Sequence, residues 1–339
     1  MKLILSMGLG LLLMGNVTHG ANGLKGSGAT FPALLVNKMT ERYEKETGTV
    51  VTYSPIGSFN GLAELTAGKT DFAISDVQLS DSGAANSGDY VDIPVTLGAI
   101  ALVYNLEGVP VLKLTPDLLL DILAGRVTRW NDSRIQAINM KVKLPAIPIK
   151  VITRSDLSGT TFLLNRYLMS VSNGSRQPKS KWRLEVPGAT QVSGNQQLVD
   201  TLMRTPGAFG YTESHYAARA NCGVVALRNA KDRFLLPNVE SILAATDEVT
   251  LDQVRNSGIN SKNEFAYPIV GFSWMSTSKD QSKRSDYESA KSLINLMWWM
   301  THQGQLYAEE NGFTPLPPIA MKFASQHLKE IRFDDVIIR

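Results

Sequence analysis

"YVDIPVTLGAIALVYNL", residues 90–106, is a long β-rich run that carries a proline. Far downstream "EFAYPIVGFSWMS", residues 264–276, has the same extended character. Two such runs, about 170 residues apart, read as two crossings of the chain between one pair of lobes. Residues 24–98 plus 266–339 then form lobe one, and residues 99–265 form lobe two. A chain of 339 residues with 43% hydrophobic side chains is long enough to bury a core in each.

Outward from the first crossing, strand and helix signals take turns. "GLKGSG" reads as a short strand entering a glycine turn. A helix follows over about 31–47, with Pro32 in its first turn, Leu35, Met39 and Tyr43 on one face, and Gly48 as its stop. "TVVTYSP" is a β-branched strand, "IGSFNG" a loop, "LAELTAG" a short helix and "DFAIS" a strand ending at Asp76. Between the crossings, "LTPDLLLDILAG" starts a helix at Thr115 and Pro116, and "TTFLLNRYLMSV" and "GNQQLVDTLM" add two more. "NSGINSKNE" is polar loop. Alternating strands and helices predict an α/β protein with a mostly parallel sheet.

The N-terminus has a separate job. Lys2 is the only Lys, Arg, Asp or Glu before Lys25, and "LILSMGLGLLLMGNV" is apolar but too short and glycine-broken to span a bilayer. Thr18 and Gly20 supply the small residues of a cleavage site, so residues 1–20 read as a secretory signal peptide and the mature chain starts near Ala21. No cysteine follows that run to carry a lipid anchor, and "SLINLMWWM" (292–300) is half a membrane span. Cys222 stands alone, which excludes an internal disulfide framework and predicts a buried core thiol. The periplasm of a Gram-negative bacterium fits best. A net charge of +3 with acids and bases interspersed argues against nucleic acid as partner.

Three loops share one design. "GSGATFP" (26–32), "PIGSFNG" (55–61) and "RSDLSGTTF" (154–162) each place Gly, Ser or Thr before a helix start. Free backbone N–H groups, the positive end of the helix dipole and a capping hydroxyl attract an anion. Any one loop alone is ordinary capping; three, spread over both lobes, suggest convergence on one anion in the cleft. Arg154 adds a planar donor fork, with Asp156 close enough to steady it. By itself that pair also fits a surface ion pair of little worth.

Asp76 is the second carboxylate of interest, at a strand end where α/β sheets border their ligand crevice. A carboxylate there repels a fully deprotonated anion but accepts a hydrogen bond from one that keeps a proton. Phosphate keeps one at neutral pH; sulfate and molybdate do not. Asp76 among donors is therefore a selectivity device, and the plain alternative is a cap or turn aspartate. Chemistry is thinly provided for. The histidines are His19, His215, His302 and His327, with no metal-ligand spacing, no G-x-S-x-G elbow and no nucleotide-binding G-x-x-x-x-G-K-[ST]. A phosphohydrolase using Ser158 as nucleophile is the rival from another class.

At these residues the chain resembles the periplasmic phosphate-binding proteins of bacterial ABC-type phosphate transporters. "GSGATFPALLVNKMTERYEKETG" is similar to that family's opening strand, loop and helix, "DFAISDVQLS" to its D-F-x-x-S-D segment, and "RSDLSGT" to its R-x-D-x-S-G-T loop. "PGAFGY" (206–211) and "NGFTPLP" (311–317) are further landmarks, and the match runs in order over nearly the whole mature chain. The resemblance implies a two-lobed periplasmic-binding-protein fold of type II-like organisation, with two crossovers and the ligand cleft between the lobes. It implies that Thr30 and Phe31 donate from the first helix start and Ser58 from the second, and that Asp76 accepts the phosphate proton. Arg154 would pair with the dianion, steadied by Asp156, while Ser158, Gly159 and Thr160 complete the donor shell. It further implies binding without catalysis, no cofactor or metal, a monomer, and permease subunits in the inner membrane as partners. Another tetrahedral oxyanion, or a sensory or surface role without transport, are the remaining alternatives. Phe59 and Asn60 depart from the small residues the family carries there, which leaves the ring narrowing the cleft or lying outside it.

Overall fold

The computed structural model describes residues 23–172, 180–256 and 258–338; the leader 1–20, with Thr18 and Gly20, lies outside them. The chain opens with β1 (Leu24–Gly28), α1 (Ala33–Thr47), β2 (Val51–Ser54), α2 (Ser58–Thr66) and β3 (Phe72–Ser75). A short α3 (Leu79–Ser82) leads into β4 (Tyr90–Tyr104). Next come β5 (Leu112–Leu114), α4 (Pro116–Leu123), α5 (Ser133–Ile138), β6 (Lys150–Arg154) and α6 (Gly159–Val171). They are followed by β7 (Thr190–Val192), α7 (Gly194–Met203), β8 (Ala208–Glu213), α8 (Ser214–Arg219), β9 (Gly223–Arg228), β10 (Phe234–Leu235) and α9 (Val239–Leu243). The chain returns through β11 (Val270–Ser278) to α10 (Tyr287–Thr301), α11 (Gly304–Glu310) and α12 (Pro318–His327). A small hairpin of β12 (Arg332–Phe333) and β13 (Val336–Ile337) closes it.

Local chemistry sets most of these bounds. In α1 the buried stripe is Leu35, Val36, Met39 and Tyr43, and Gly48 ends the helix at φ 74, its N–H donating to the Glu44 carbonyl. Thr115 caps α4 by accepting from the Leu118 N–H, with Pro116 in the first turn. Two expectations shift. Residues 58–60 of "IGSFNG" are the first turn of α2, not loop, and α1 starts at Ala33. Of the three helix starts facing the site, only that of α6 has a hydroxyl cap: Ser158 accepts from the Thr161 N–H, whereas Pro32 and Gly57 cap α1 and α2 without side-chain bonds.

The main sheet runs β2-β1-β3-β11-β4-β8-β6-β7, with β9 also pairing β4. It is mixed rather than mostly parallel. The β1–β2, β1–β3, β6–β7 and β6–β8 pairs are parallel, but the central β3–β11, β11–β4 and β4–β8 pairs are antiparallel. The two long extended runs are themselves the antiparallel centre, which local alternation of strand and helix does not reveal. Pro94 has no N–H for a ladder, and the register breaks beside it: Thr96 pairs with Ser273 and Pro94 with Trp274, leaving Val95 unmatched. The Val95 carbonyl instead accepts from the Gln305 amide at 3.0 Å.

Across that break β4 passes from one core to another. Val91, Ile93 and Val95 pack with Leu35, Met39, Phe72, Met275, Leu293 and Met297. Leu97, Leu102 and Tyr104 pack with Ile122, Trp130, Leu164, Tyr167 and Phe209. "SLINLMWWM" lies in α10 as a core helix, and among the described residues no helix is long and apolar enough to cross a membrane. Cys222 is half-buried rather than fully buried, lying against Ala101, Val103 and Leu198. Burial pushes its thiol up to about 11.

Candidate functional site

Where β1, β3 and β6 end, their loops turn inward. The Ala29 N–H after β1 donates to the Ile74 carbonyl of β3 at 2.7 Å. Gly28, at φ 148, makes that approach possible: a Cβ there would sit 1.8 Å from the Ile74 carbonyl oxygen. Thr30 is thereby held over the strand ends, and the buried Phe31 ring beside it lies against Gly98 of β4.

Asp76 follows β3 directly and is 3% exposed. Its Oδ1 accepts from the Ser273 hydroxyl at 2.8 Å, and its Oδ2 lies 3.5 Å from the Ser58 hydroxyl. The Asp76 N–H donates to Ser58 Oγ at 3.3 Å, locking the start of α2 to the end of β3. Burial pushes the Asp76 carboxyl up to about 7; the Ser273 bond and the Arg154 charge oppose this, and nearby Glu213 adds to it.

Arg154 ends β6 and is 2% exposed. Its Nε donates to Asp156 Oδ1 at 2.7 Å, and its Nη2 donates to Asp156 Oδ2. Burial alone would raise the Asp156 carboxyl, but the guanidinium and the Gly194 N–H hold it below its ordinary value. Nη2 also reaches Thr30 Oγ1 at 3.4 Å. The other terminal nitrogen, Nη1, is buried with no hydrogen-bond partner among the described residues. A buried guanidinium N–H without an acceptor is costly in a finished core and suited to a bound oxyanion.

Gly159 and Thr160 form the first turn of α6, directly after the Ser158 cap. A Cβ on Gly159 would lie 2.3 Å from Ser58 Oγ and 2.7 Å from Asp76 Oδ2, so this helix start meets the Ser58–Asp76 pair at close range. The nine residues expected from sequence thus converge on one locus through these contacts and through chain neighbours.

Sequence reasoning missed several supports. Asn195, fully buried at the start of α7, donates to Thr30 Oγ1 at 2.9 Å and to Thr160 Oγ1 at 3.4 Å. Its own carbonyl oxygen accepts from Thr212 Oγ1 and the Glu213 N–H. With Arg154 and Asn195 both donating to Thr30 Oγ1, the Thr30 hydroxyl proton is left to point elsewhere. Tyr211 shares a 2.6 Å bond with Thr161 and accepts from the Arg154 N–H. Tyr216 donates to the Thr30 carbonyl at 2.7 Å. "PGAFGY" carries Tyr211, but only the fold turns it towards the loop. Phe59 lies half-buried beside Trp182, their rings 5.4 Å apart edge to face, with Trp182 also 5.3 Å from the Phe162 ring. Asn60 points away, donating to the Ile56 carbonyl.

The site offers hydroxyls, helix-start N–H groups and a guanidinium around one buried carboxylate. Among the described residues no group of His, Cys, Asp or Glu is placed to hold a metal. Residues 15–301 match the model of the PBP superfamily domain. The phosphate-binding protein PstS of Haemophilus influenzae is 32% identical, covering 88% of this chain and 90% of its own. PstS of Xylella fastidiosa is 31% identical over 88% of this chain and 83% of its own. The solved phosphate-binding protein of Stenotrophomonas maltophilia superposes with a TM-score of 0.63 at 16% identity, covering 89% of this chain and 92% of its own. With this mixed sheet and two cores, the chain has the α/β periplasmic-binding-protein fold, and it belongs to the PBP superfamily and, within it, to the family of PstS phosphate-binding proteins.

Proposed function

We propose that this protein binds inorganic phosphate in a cleft between two lobes and delivers it to an ABC-type membrane permease. One observation carries the choice of ligand. Asp76, a buried acceptor, sits among donors and within reach of the charge of Arg154, whose Nη1 lacks a partner. Phosphate at neutral pH brings both the negative charge for Arg154 and a proton for Asp76; sulfate brings only the charge. The names of the relatives support the same reading. Thr30, Phe31, Ser58, Ser158, Gly159 and Thr160 then serve as donors, and Asp156 orients Arg154 without touching the ligand.

The lobes are residues 24–98 plus 266–339 and residues 99–265; the core of Leu35, Phe72, Val91 and Met297 lies wholly within the first, whereas the larger core joins Leu97, Phe272, Trp274 and Phe323 of the first to Trp130, Leu164 and Phe209 of the second. Closure of the lobes on the anion is the signal the permease reads. The protein then works in the periplasm after removal of its leader, as a monomeric receptor and not an enzyme, a reading that membership of the PstS family supports. The Phe59–Trp182 contact joins the two lobes at the rim, so the ring flanks the cleft. Titration calorimetry of the anion-stripped protein with phosphate, then sulfate, at about pH 9, where Asp76 is ionised and phosphate still keeps a proton, tests the assignment. Tight phosphate binding with no sulfate heat is expected; heat from sulfate alone overturns it.

A further inference from the structure

We infer that Ser273 is a positioning residue for anion selectivity: its hydroxyl aims Asp76 and keeps that carboxylate an acceptor. The inference rests on the phosphate reading. Ser273 is fully buried and donates to Asp76 Oδ1 at 2.8 Å. Its placement follows from the sheet. The antiparallel β3–β11 ladder pairs Trp274 with Ser75, so the next residue of each strand, Ser273 and Asp76, face one another just past its end. On the other side of β11 the register breaks between Ser273 and Trp274, opposite Pro94 and Thr96. Such irregularities re-aim side chains beside binding sites.

The geometry divides the labour of the two carboxylate oxygens. Oδ1 is engaged by Ser273, within one sheet, while Oδ2 lies towards Ser58 and the start of α6. Because β3 and β11 are neighbours, the Ser273 bond does not depend on the loops from the other core closing over the site. An acceptor carboxylate rejects sulfate only while it is ionised; once protonated it becomes a donor and the discrimination disappears. Several groups bear on that ionisation. Arg154 from β6 and Ser58 from α2 favour the charged form, while Glu213 at the end of β8 and burial oppose it. The phenols of Tyr53 on β2 and Tyr216 on α8 also lie within its field. Ser273 is the closest hydrogen-bond donor among the side chains that bond the carboxylate, and it tips the balance towards the acceptor form.

The test reads the carboxyl directly. Asp76 is followed by 13C titration in protein labelled at aspartate, assigned with Asp76→Asn, in wild type, Ser273→Ala and Ser273→Cys. Loss of a hydrogen bond to a charged group should raise the Asp76 midpoint by about one to two pH units, a roughly 10- to 100-fold change in proton affinity. Ser273→Cys, with a weak donor of similar size, should fall between and covers failure of the alanine variant to fold. Sulfate titrations across the same pH range should show binding that weakens about tenfold per unit above each protein's midpoint. A structural role alone changes melting temperature and leaves the midpoint in place. A midpoint that stays or falls overturns the inference. Absence of phosphate binding in wild type instead overturns the phosphate reading, and the carboxyl titration still reports on Ser273.

Discussion

Gly159→Ala separates closure from folding. Gly159 has an ordinary helical backbone in the first turn of α6, so alanine is conformationally acceptable there and slightly stabilises the helix. What alanine cannot do is share the space: its Cβ would lie 2.3 Å from Ser58 Oγ, 2.7 Å from Asp76 Oδ2 and 2.8 Å from Asp76 Cβ. On the two-lobe reading proposed above, Ser58 and Asp76 belong to one side of the cleft and Gly159 to the other, so the overlap would exist only when the two sides meet. Ser58 and Asp76 are buried and hydrogen-bonded to each other, which leaves little room to yield. Inserting a methyl into such packing costs about 1–3 kcal/mol, which is roughly 5- to 150-fold in Kd. Calorimetry with phosphate should show that loss, while the melting temperature of the anion-free protein stays at or above that of wild type. Wild-type phosphate affinity in Gly159→Ala would refute the reasoning that this helix start closes onto Ser58 and Asp76.

Asp76 also makes stability depend on pH. Folding raises this carboxyl from 3.8 to about 7, so the fold favours its neutral form; that contribution is complete below about pH 4 and is lost as pH rises towards 7. Anion-free Asp76→Asn should therefore be more stable than wild type at pH 8, by at most on the order of 4 kcal/mol, with the gap vanishing near pH 4 in urea titrations. Asp156→Ala strips the Arg154 guanidinium of its bidentate partner inside the protein and should cost about 3–5 kcal/mol in denaturation, partly restored by saturating phosphate; a loss untouched by phosphate would show that Arg154 does not meet the anion. Phe59→Ala removes an edge-to-face contact across the rim and should weaken phosphate binding about 2- to 10-fold while altering Trp182 fluorescence on closure. Unchanged affinity would place Phe59 outside the closing surface.

The anion loops and the alternation of strands with helices are local properties, carried by residues within a few positions of one another. Gly48, Thr115 with Pro116, and Ser158 act on their own helix ends, so the sequence by itself determined where α1 stops and α4 and α6 begin. Arg154 and Asp156 are two residues apart, and their pairing was open to a reader of the chain for the same reason. Long-range pairing is different. Nothing near Pro94 says that β11 will run antiparallel beside it, that the register will slip there, or that Ser273, 197 residues beyond Asp76, will donate to it. Asn195 looks like an ordinary first-turn residue until the fold sets it between Thr30 and Thr160, and Phe59 reads as a misfit until Trp182 lies beside it. Sequence determines what each segment can offer, because capping and periodicity act over one or two turns. Which offers meet is decided only when the crossing strands bring both cores together, because contacts so distant along the chain form only through packing of the whole.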